Sequence, residues 1–422
     1  LDDAEITPNG DADEVNNSDR LNALKISANK AAQTPLTLAS VVSDIKLKIN
    51  MARIISDRAN GVFDVVLLSS VTPNGYNIIA CTGVPTLALV LRIGMIIDIR
   101  KFGAKHLTNS TLAVQAAIDE SSSLGGIPIS GGAETYYVSN TTSGTTEHAI
   151  EMKSNVWLNL PSGAEITKSP AERAVNGSII GIGVATSYGG ATNFKISGFK
   201  LSDGDVNKGA RTIGSLITLN SGTDFEISGM EFGNSDFHDI DIRACKNGKI
   251  WGNSHNSLVV GGSAPYQFDV VTNATDSALF PNDNIQIYQN TRGKHSALDG
   301  YYERSFEFAH GCTSKGIKIF NNNFDETNNS LLSSVVGNAT ERDEKIDGLE
   351  VYFNTFRIDG VVPNWVNLTI NETNDFDAST NYMKGINIHH NKLYGKTSQG
   401  MQLSMVVGGM TNFGQFDAQI HD

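Results

Sequence analysis

A short phrase of alternating apolar residues that ends in asparagine recurs along the second half of the chain. Its starting residues are Phe194, Phe225, Gly248, Ile285, Ile317, Leu349 and Ile386, the first three in degenerate form. A strand that returns at irregular intervals of a few tens of residues predicts a solenoid whose coils differ in length. The alternation directs one side chain into the coil and the next one outward. The phrase therefore predicts which residues stack on one another in successive coils.

Composition supports a long all-β body and narrows the range of partners. Glycine, at 41 of 422 residues, and abundant Asn, Ser and Thr supply turns between many short strands. A net charge of −13 argues against a nucleic-acid partner, because little is available to neutralise phosphates. The three cysteines, Cys81, Cys245 and Cys312, predict neither a disulfide framework nor a zinc site, and we expect them to be buried apolar residues. No cofactor and no metal are expected.

The first 93 residues predict a small N-terminal segment of short helices followed by strands. Apolar residues at steps of three and four from Leu38 to Ala52 predict a helix with one apolar seam. This seam either packs on its own domain or forms a stem that holds copies of the chain together. The apolar stretch 78–99 is interrupted by Pro85, Arg92 and Gly94, so it predicts strands and no membrane insertion.

From residue 96 onward the order of elements resembles a known fold. A strand ending in Phe102-Gly103-Ala104 is followed by a helix that Asn109 or Ser110 can cap and that ends at Gly125-Gly126. A strand, Thr135-Tyr136-Tyr137-Val138, comes next. This order is similar to the start of the pectate-lyase-like right-handed parallel β-helix, in the version found in bacteriophage tailspikes and tail-fibre depolymerases. One departure is Lys105-His106-Leu107-Thr108-Asn109, where that family usually has an acidic Gly-Asp-Gly turn.

The resemblance implies both a fold and a function. The fold expected is all-β: a right-handed single-stranded parallel β-helix over residues 94–422, with an N-terminal capping helix, after the small mixed segment 1–93. The function implied is that of a homotrimeric phage tailspike, which belongs to the virion tail. Such a protein binds and cuts capsular or O-antigen polysaccharide on a bacterial surface.

A second strand precedes each repeated phrase, and its alternation predicts a column of outward residues. Aligning the apolar pairs gives Thr218, Asp241, Asp269, Glu307, Ser333 and Asn367. Neighbouring carboxylates ~4.8 Å apart repel, so a fold selected only for stability tends to avoid them. We expect Asp269, in the middle, to stay protonated as general acid, with Asp241 or Glu307 as base or nucleophile. The competing interpretation is a solvated acidic face, or pairing with Arg243 and Arg304.

Other residues near this column are further candidates. Asp239 lies on the same predicted side as Asp241, and Asp299 and Glu303 precede Glu307, so these three are substitutes for the catalytic carboxylates. Arg243 is a candidate contact to the substrate.

The repeated phrase predicts a second column, of aromatic residues, two positions before each asparagine. Its members are Trp251, Tyr288, Phe320, Tyr352 and His389. Ring faces on the outside of a solenoid suit contact with sugar rings. Burial against a neighbouring subunit is the alternative. The asparagines themselves predict a structural ladder in the turns.

Three other functions remain open on the same fold. A polysaccharide lyase could use His238 or His310 as base, with Arg243 or Lys318 neutralising a uronate. A non-catalytic adhesin would bind the polymer without cutting it. A structural component of a phage baseplate would do neither. A fold by itself does not choose among these.

Overall fold

The computed structural model describes much of the chain from residue 51 onward. The described ranges are 51–54, 61–81, 85–140, 148–170, 177–183, 190–203, 214–235, 238–256, 266–269, 281–292, 304–308, 313–326, 330–336, 345–358, 364–370, 382–395, 402–407 and 416–421. The chain forms two compact units, residues 1–105 and 106–422. The division expected from the sequence, at residue 94, differs from this one by the segment 94–105.

The first unit contains a small antiparallel sheet. Its strands, in the order β1-β2-β4-β3, are β1 (Met51–Ile54), β2 (Gly61–Leu67), β3 (Ile78–Ala80) and β4 (Leu87–Leu91). Buried Phe63, Leu89 and Leu91 form its core. The apolar stretch 78–99 therefore forms strands, as predicted. The expected helix 38–52 lies almost wholly outside the described residues, and its last member, Ala52, belongs to β1, so a helix reaching that far was wrong.

Two 3-10 turns and a short strand complete this unit. A 3-10 turn spans Leu68–Ser70, and β5 (Ile97–Asp98) leads into a second 3-10 turn, Ile99–Phe102. The turn ends at Gly103, whose φ of 105° lies in the left-handed region that glycine adopts without strain. The predicted strand over 97–104 is thus only two residues long.

The second unit consists of three parallel sheets, and successive strands along the chain belong to each of the three sheets in turn. Sheet I contains β8 (His148–Met152), β11 (Ser178–Ile182), β14 (Ile217–Asn220), β17 (Ile240–Arg243), β20 (Tyr266–Asp269), β24 (Arg304–Phe308), β27 (Ser330–Val336), β30 (Asn364–Ile370) and β33 (Gln402–Val407). Sheet II contains β6 (Ile129–Ser130), β9 (Trp157–Asn159), β12 (Thr192–Ser197), β15 (Thr223–Ser228), β18 (Lys249–Trp251), β22 (Gln286–Tyr288), β25 (Thr313–Phe320), β28 (Lys345–Tyr352), β31 (Tyr382–His389) and β34 (Phe416–His421), with β21 (Asn282–Asp283) paired to β25. Sheet III contains β7 (Thr135–Val138), β10 (Glu165–Lys168), β13 (Lys200–Ser202), β16 (Glu231–Phe232), β19 (Ser254–His255), β23 (Thr291–Arg292), β26 (Asn323–Glu326), β29 (Thr355–Ile358) and β32 (Lys392–Gly395).

One turn of the chain through sheets I, II and III makes one coil, and each strand pairs in parallel with its counterpart in the next coil. This is the predicted β-helix. The sequence pattern predicts only two strands per coil; the third, in sheet III, gives no clear pattern because its strands have only two to four residues.

One helix, α1 (Thr111–Ser123), precedes the first complete coil. Its buried face is formed by Ala113, Val114, Ala117 and Ile118. The N-cap residue is Ser110, whose side chain makes no capping hydrogen bond. The side chain of Asn109, one residue earlier, accepts hydrogen bonds from the backbone N–H and the hydroxyl of Thr111, at 3.2 and 2.7 Å. Gly125 and Gly126 follow its end with φ of 78° and 106°. The helix is confirmed, and its role as a cap on the coil stack stays a prediction.

The repeated phrase forms the strands of sheet II, in the predicted register. Ile287, Ile319 and Val351 are buried and lie directly above one another. Gly248 replaces the bulky first residue of the phrase because the ring of Phe225 occupies the space, and a Cβ there would lie 2.1 Å from that ring. The alternation of buried and outward residues is therefore confirmed.

The asparagines that end the phrase form a ladder at the corner between sheets II and III, buried except at its last member. They are Asn253, Asn290, Asn322, Asn354 and Asn391. The backbone N–H and side-chain amide of each of the first four donate to the side-chain oxygen of the next, at 2.9 to 3.0 Å. The amides also donate to backbone carbonyls of the preceding coil. The predicted structural ladder is confirmed.

Two of the cysteines are described, and both are buried and free. Burial raises the pKa of the Cys245 thiol to about 12. Cys312 lies outside the described residues. In the described part of the chain, no helix is long and apolar enough to cross a membrane.

Candidate functional site

The outer face of sheet I carries the predicted carboxylates, but one of them stands in a different place. Directly opposite Asp241 on the next strand is Gln267, and opposite Gln267 is Glu307. Asp269 lies opposite Arg243 instead. The inward residues of β20 are Tyr266 and Phe268, both fully buried, and not Phe268 and Val270 as expected. The prediction of three consecutive carboxylates in one column was therefore wrong: Gln267 occupies the middle position, and Asp269 lies two residues further along the strand.

The three carboxylate positions still belong to consecutive strands. Asp269 is one strand and two residues away from both Asp241 and Glu307, a Cα separation of about 8 Å. Asp241 and Glu307 are two strands apart, roughly 10 Å. The side chains of Asp269 and Glu307, and all of Glu303 and Asp299, lie outside the described part of the structure.

Asp241 is enclosed and held by an arginine. Only 1% of its surface is exposed, which contradicts the expectation of an exposed flank. Its Oδ2 accepts hydrogen bonds from Nη2 and Nε of Arg243, at 2.6 and 3.0 Å. Among the described residues, its Oδ1 has no hydrogen-bond partner. A buried carboxylate oxygen without a donor costs about 1–3 kcal/mol, so a fold selected only for stability would tend to satisfy it. The interpretation that Arg243 pairs with a carboxylate of this column is confirmed for Asp241.

Asp239 lies inside the molecule and not on the outer face. It is fully buried, and its Oδ2 is 2.6 Å from Nδ1 of His255. The other ring nitrogen of His255 is hydrogen-bonded to the hydroxyl of Tyr266. The prediction that Asp239 shares an exposed face with Asp241 was therefore wrong, and it cannot touch a polymer where it stands.

Asp239, His255 and Tyr266 form a buried hydrogen-bonded chain inside the β-helix. His255 stacks on Phe232 at a ring-centroid distance of 4.8 Å, and Arg292 lies next to His255 in the same interior column of sheet III. Burial, and secondarily the charge of Asp239, raises the pKa of Tyr266 well above its usual value, while Arg292 opposes this shift. The sequence contains a signal for the interior column of sheet III, because His255 and Arg292 each follow a ladder asparagine by two residues.

The aromatic column on sheet II is confirmed as a continuous stack of rings. Trp251, Tyr288, Phe320, Tyr352 and His389 follow one another in register. Their ring centroids are 6.0, 4.8, 5.0 and 5.2 Å apart, and the planes are within 6° of parallel. The faces of the inner rings are therefore covered largely by their neighbours. Contact of a sugar with those faces, which the sequence suggested, is not available to the inner members of the stack.

A carboxylate anchors the first ring of this stack. Oε1 of Glu226 accepts hydrogen bonds from Nζ of Lys195 at 2.7 Å, from the hydroxyl of Ser228 at 3.0 Å and from Nε1 of Trp251 at 3.1 Å. Partial burial raises the pKa of Glu226, but these donors together outweigh it and lower the pKa.

Two grooves on the outer faces were not predicted. One, with a volume of about 390 Å³, crosses sheet III and is lined by polar groups that include Tyr137, Glu165, Lys200 and Glu231. Nζ of Lys200 lies 3.1 Å from Glu165 in this groove. The other, of about 680 Å³, crosses sheet II beside Trp157. The first groove was not predicted because the sequence pattern does not reveal sheet III. The second was not predicted because Trp157 precedes the first copy of the repeated phrase.

The remaining candidates are those of the alternative lyase mechanism. His238 is buried, and His310 lies outside the described residues. Lys318, proposed to neutralise a uronate, forms an ion pair with Glu350 at 3.1 Å. No cluster of three or more His, Cys, Asp or Glu residues that could hold a metal occurs in the described ranges.

Comparison with known proteins identifies the fold. No family model and no curated protein matches the sequence. Among solved structures, PfbA, a surface adhesin of Streptococcus pneumoniae, is similar with a TM-score of 0.58 and 16% identity, over 76% of each chain. The tailspike of E. coli bacteriophage HK620 in complex with a pentasaccharide is similar with a TM-score of 0.51 and 15% identity, over 75% of this chain and 62% of the tailspike chain. A mutant of that tailspike, also with pentasaccharide, gives 0.52 and 16%, over 73% and 59%. The fold is a right-handed parallel β-helix.

Proposed function

We propose that the protein binds and cleaves a bacterial surface polysaccharide, a capsule or O-antigen, and that it acts outside the bacterium as part of a phage tail. The observation that supports cleavage is the register of sheet I, in which Asp241, Asp269 and Glu307 come from three consecutive strands. The fold supports the same proposal, since a tailspike in complex with a pentasaccharide is built on it. Fold alone does not determine activity, so the carboxylates carry the argument.

In the proposed reaction a glycosidic bond is hydrolysed between two carboxyl groups. Glu307 donates a proton to the leaving oxygen, and Asp269 acts as base on the attacking water or as nucleophile. These roles reverse the assignment made from sequence, because Asp269 stands opposite Arg243. An arginine at the paired position of the neighbouring strand suits a base, whose ionised form a cation stabilises, better than a proton donor.

Asp241 has a supporting role in this proposal. It is too enclosed to touch a sugar, but its two hydrogen bonds fix the guanidinium of Arg243. Arg243 is then held in line with Asp269, where it can also contact the substrate.

The proposal is tested by incubating the full chain with a panel of capsular and O-antigen polysaccharides and measuring new reducing ends. Asp269→Asn and Glu307→Gln should each lower the rate by about 10²-fold or more. Asp347→Asn and Glu350→Gln are matched controls, because their carboxylates form half-exposed ion pairs on sheet II. Cleavage at the wild-type rate by both site variants would show that the site is elsewhere.

Binding without cleavage is the second candidate function, and the similarity of the fold to PfbA, a surface adhesin, favours it. An adhesin would retain a polysaccharide from the panel on a column while releasing no new ends. A lyase would be recognised in the same experiment by an unsaturated product that absorbs in the near ultraviolet.

A further inference from the structure

The groove on sheet II lies on a different sheet from the proposed catalytic carboxylates. It has a volume of about 680 Å³ and crosses the first coils, over β9, β12, β15 and β18. Trp157, Lys195, Glu226 and Lys249 occupy one outward column along its floor. Such a groove is large enough to hold a sugar residue of a polymer.

Trp157 presents an uncovered indole in this groove. It is 47% exposed, and no aromatic ring of the described residues stacks on it. This distinguishes it from Trp251, whose ring is stacked on Tyr288 and whose Nε1 is bonded to Glu226. An exposed indole face is suited to stacking on the C–H face of a pyranose, because both are flat and apolar.

Polar groups with unused hydrogen-bonding capacity line the same groove. Asn159 accepts a hydrogen bond from Ser197 at 3.0 Å through its Oδ1, and its amide N–H groups have no partner in the described chain. Asn193 donates to Asn155 at 2.9 Å, which leaves its own Oδ1 without a donor among the same residues. The ammonium group of Lys249 makes no ion pair with any described residue, whereas Lys195 is held by Glu226. Donors and acceptors of this kind match sugar hydroxyl groups, which both donate and accept.

We propose that this groove is a second, non-catalytic site that binds consecutive pyranose residues of the polymer, with Trp157 as the stacking platform and Asn159, Asn193 and, three strands further along the groove, Lys249 as hydrogen-bonding partners. The inference rests on the proposed function in one respect, namely that the ligand is a polysaccharide. It does not depend on cleavage. A second site on another face would keep the chain attached to its polymer between cleavage events.

The test measures binding of the full chain to an array of oligosaccharides from bacterial capsules and O-antigens. It is carried out in the Asp269→Asn background, so that hydrolysis does not remove the ligand. Trp157→Ala should weaken binding to the best oligosaccharide by about tenfold, the equivalent of 1.4 kcal/mol. Lys249→Ala should weaken it by a smaller factor, and Trp157→Phe should retain most of the affinity. Ligand-induced change in tryptophan fluorescence should be absent from Trp157→Ala.

Phe353→Ala is the matched control. Phe353 is also a half-exposed aromatic residue, 53% exposed, and it directly follows β28, many coils away from β9. It should bind like the background protein. Equal binding by Trp157→Ala, Lys249→Ala and the background, or no bound oligosaccharide at all, would overturn the inference. Polymer cleavage with unchanged binding by Trp157→Ala would refute the second site and leave the proposed function standing. Binding through Trp157 without cleavage by the wild-type chain would refute the proposed cleavage and leave the second site standing.

Discussion

At the scale of single residues, the ladder asparagines are the most constrained positions of the β-helix. Asn322 is buried, donates to Asn354 and to the carbonyl of Ile287, and accepts from both nitrogens of Asn290. Only a side chain with an amide supplies a donor and an acceptor in this geometry. The residue before it, Asn321, has a φ of 55°, which asparagine tolerates better than most residues. Gln289, Phe353 and His390 occupy the same position in other coils with φ of 52° to 56°, so the corner selects asparagine only at the ladder position itself.

Asn322→Ala should lower the free energy of unfolding by about 3 kcal/mol, because buried donors and acceptors of the adjoining coils lose their partners. Urea denaturation followed by circular dichroism measures the change. Asn323→Ala is the control, since Asn323 is exposed and should alter stability by no more than ~0.5 kcal/mol. Equal effects of the two substitutions would contradict the role assigned to the ladder.

Glu226 should make the stability of the protein sensitive to acid. Its pKa in the folded chain is lowered from the usual 4.5. The ionised side chain therefore adds to the free energy of unfolding above that value, and this stabilisation is lost as the pH falls below it. Urea midpoints measured from pH 6 down to pH 3 should fall further for the wild-type chain than for Glu226→Gln. Curves that stay parallel throughout would show that the hydrogen bonds from Lys195, Ser228 and Trp251 do not stabilise the ionised form.

At the scale of elements, sheet II is stabilised on its outer face as well as in its interior. A parallel sheet in which equal positions of successive repeats lie one strand spacing apart brings like side chains together. Rings about 5 Å apart then stack, and each pair adds roughly 0.5–1.5 kcal/mol beyond the area it buries. The aromatic column is thus explained by stability, whatever it binds.

Phe320→Ala should remove two ring contacts, those with Tyr288 at 4.8 Å and Tyr352 at 5.0 Å. We expect a loss of about 1–3 kcal/mol in the free energy of unfolding, measured by thermal or urea denaturation. Phe320→Tyr should be nearly neutral. Trp157→Ala, which removes an aromatic residue without a described ring partner, should cost clearly less. A Phe320→Ala protein as stable as the wild type would show that the stack does not stabilise the sheet.

At the scale of the whole molecule, we propose that the chain assembles as a homotrimer, as the resemblance to phage tailspikes implies. Closed symmetric assembly is the usual state of such homo-oligomers. Sedimentation equilibrium of the full chain should give three times the chain mass of 45.2 kDa. A single species at the mass of one chain would refute the trimer without affecting the β-helix or the two proposed sites.

The sequence by itself determined the solenoid, the alternation of sheet II, the aromatic column and the asparagine ladder. In a parallel β-helix the same position of successive repeats becomes a spatial neighbour, so a repeat in the sequence is already a contact map. The helix Thr111–Ser123 could be predicted as well, because its cap and its terminal glycines are local signals.

Only the tertiary structure decided the register of β20 and the surroundings of the carboxylates. Tyr266 points inward because its hydroxyl finds a partner in His255 from the preceding coil, and that inward position moves Asp269 opposite Arg243. Asp239 and Asp241 are also buried, the first bonded to His255 and the second to Arg243. A buried polar group is stable only with its partner, and for Tyr266 and Asp239 the partner comes from another strand, so the alternation within one strand could not reveal it.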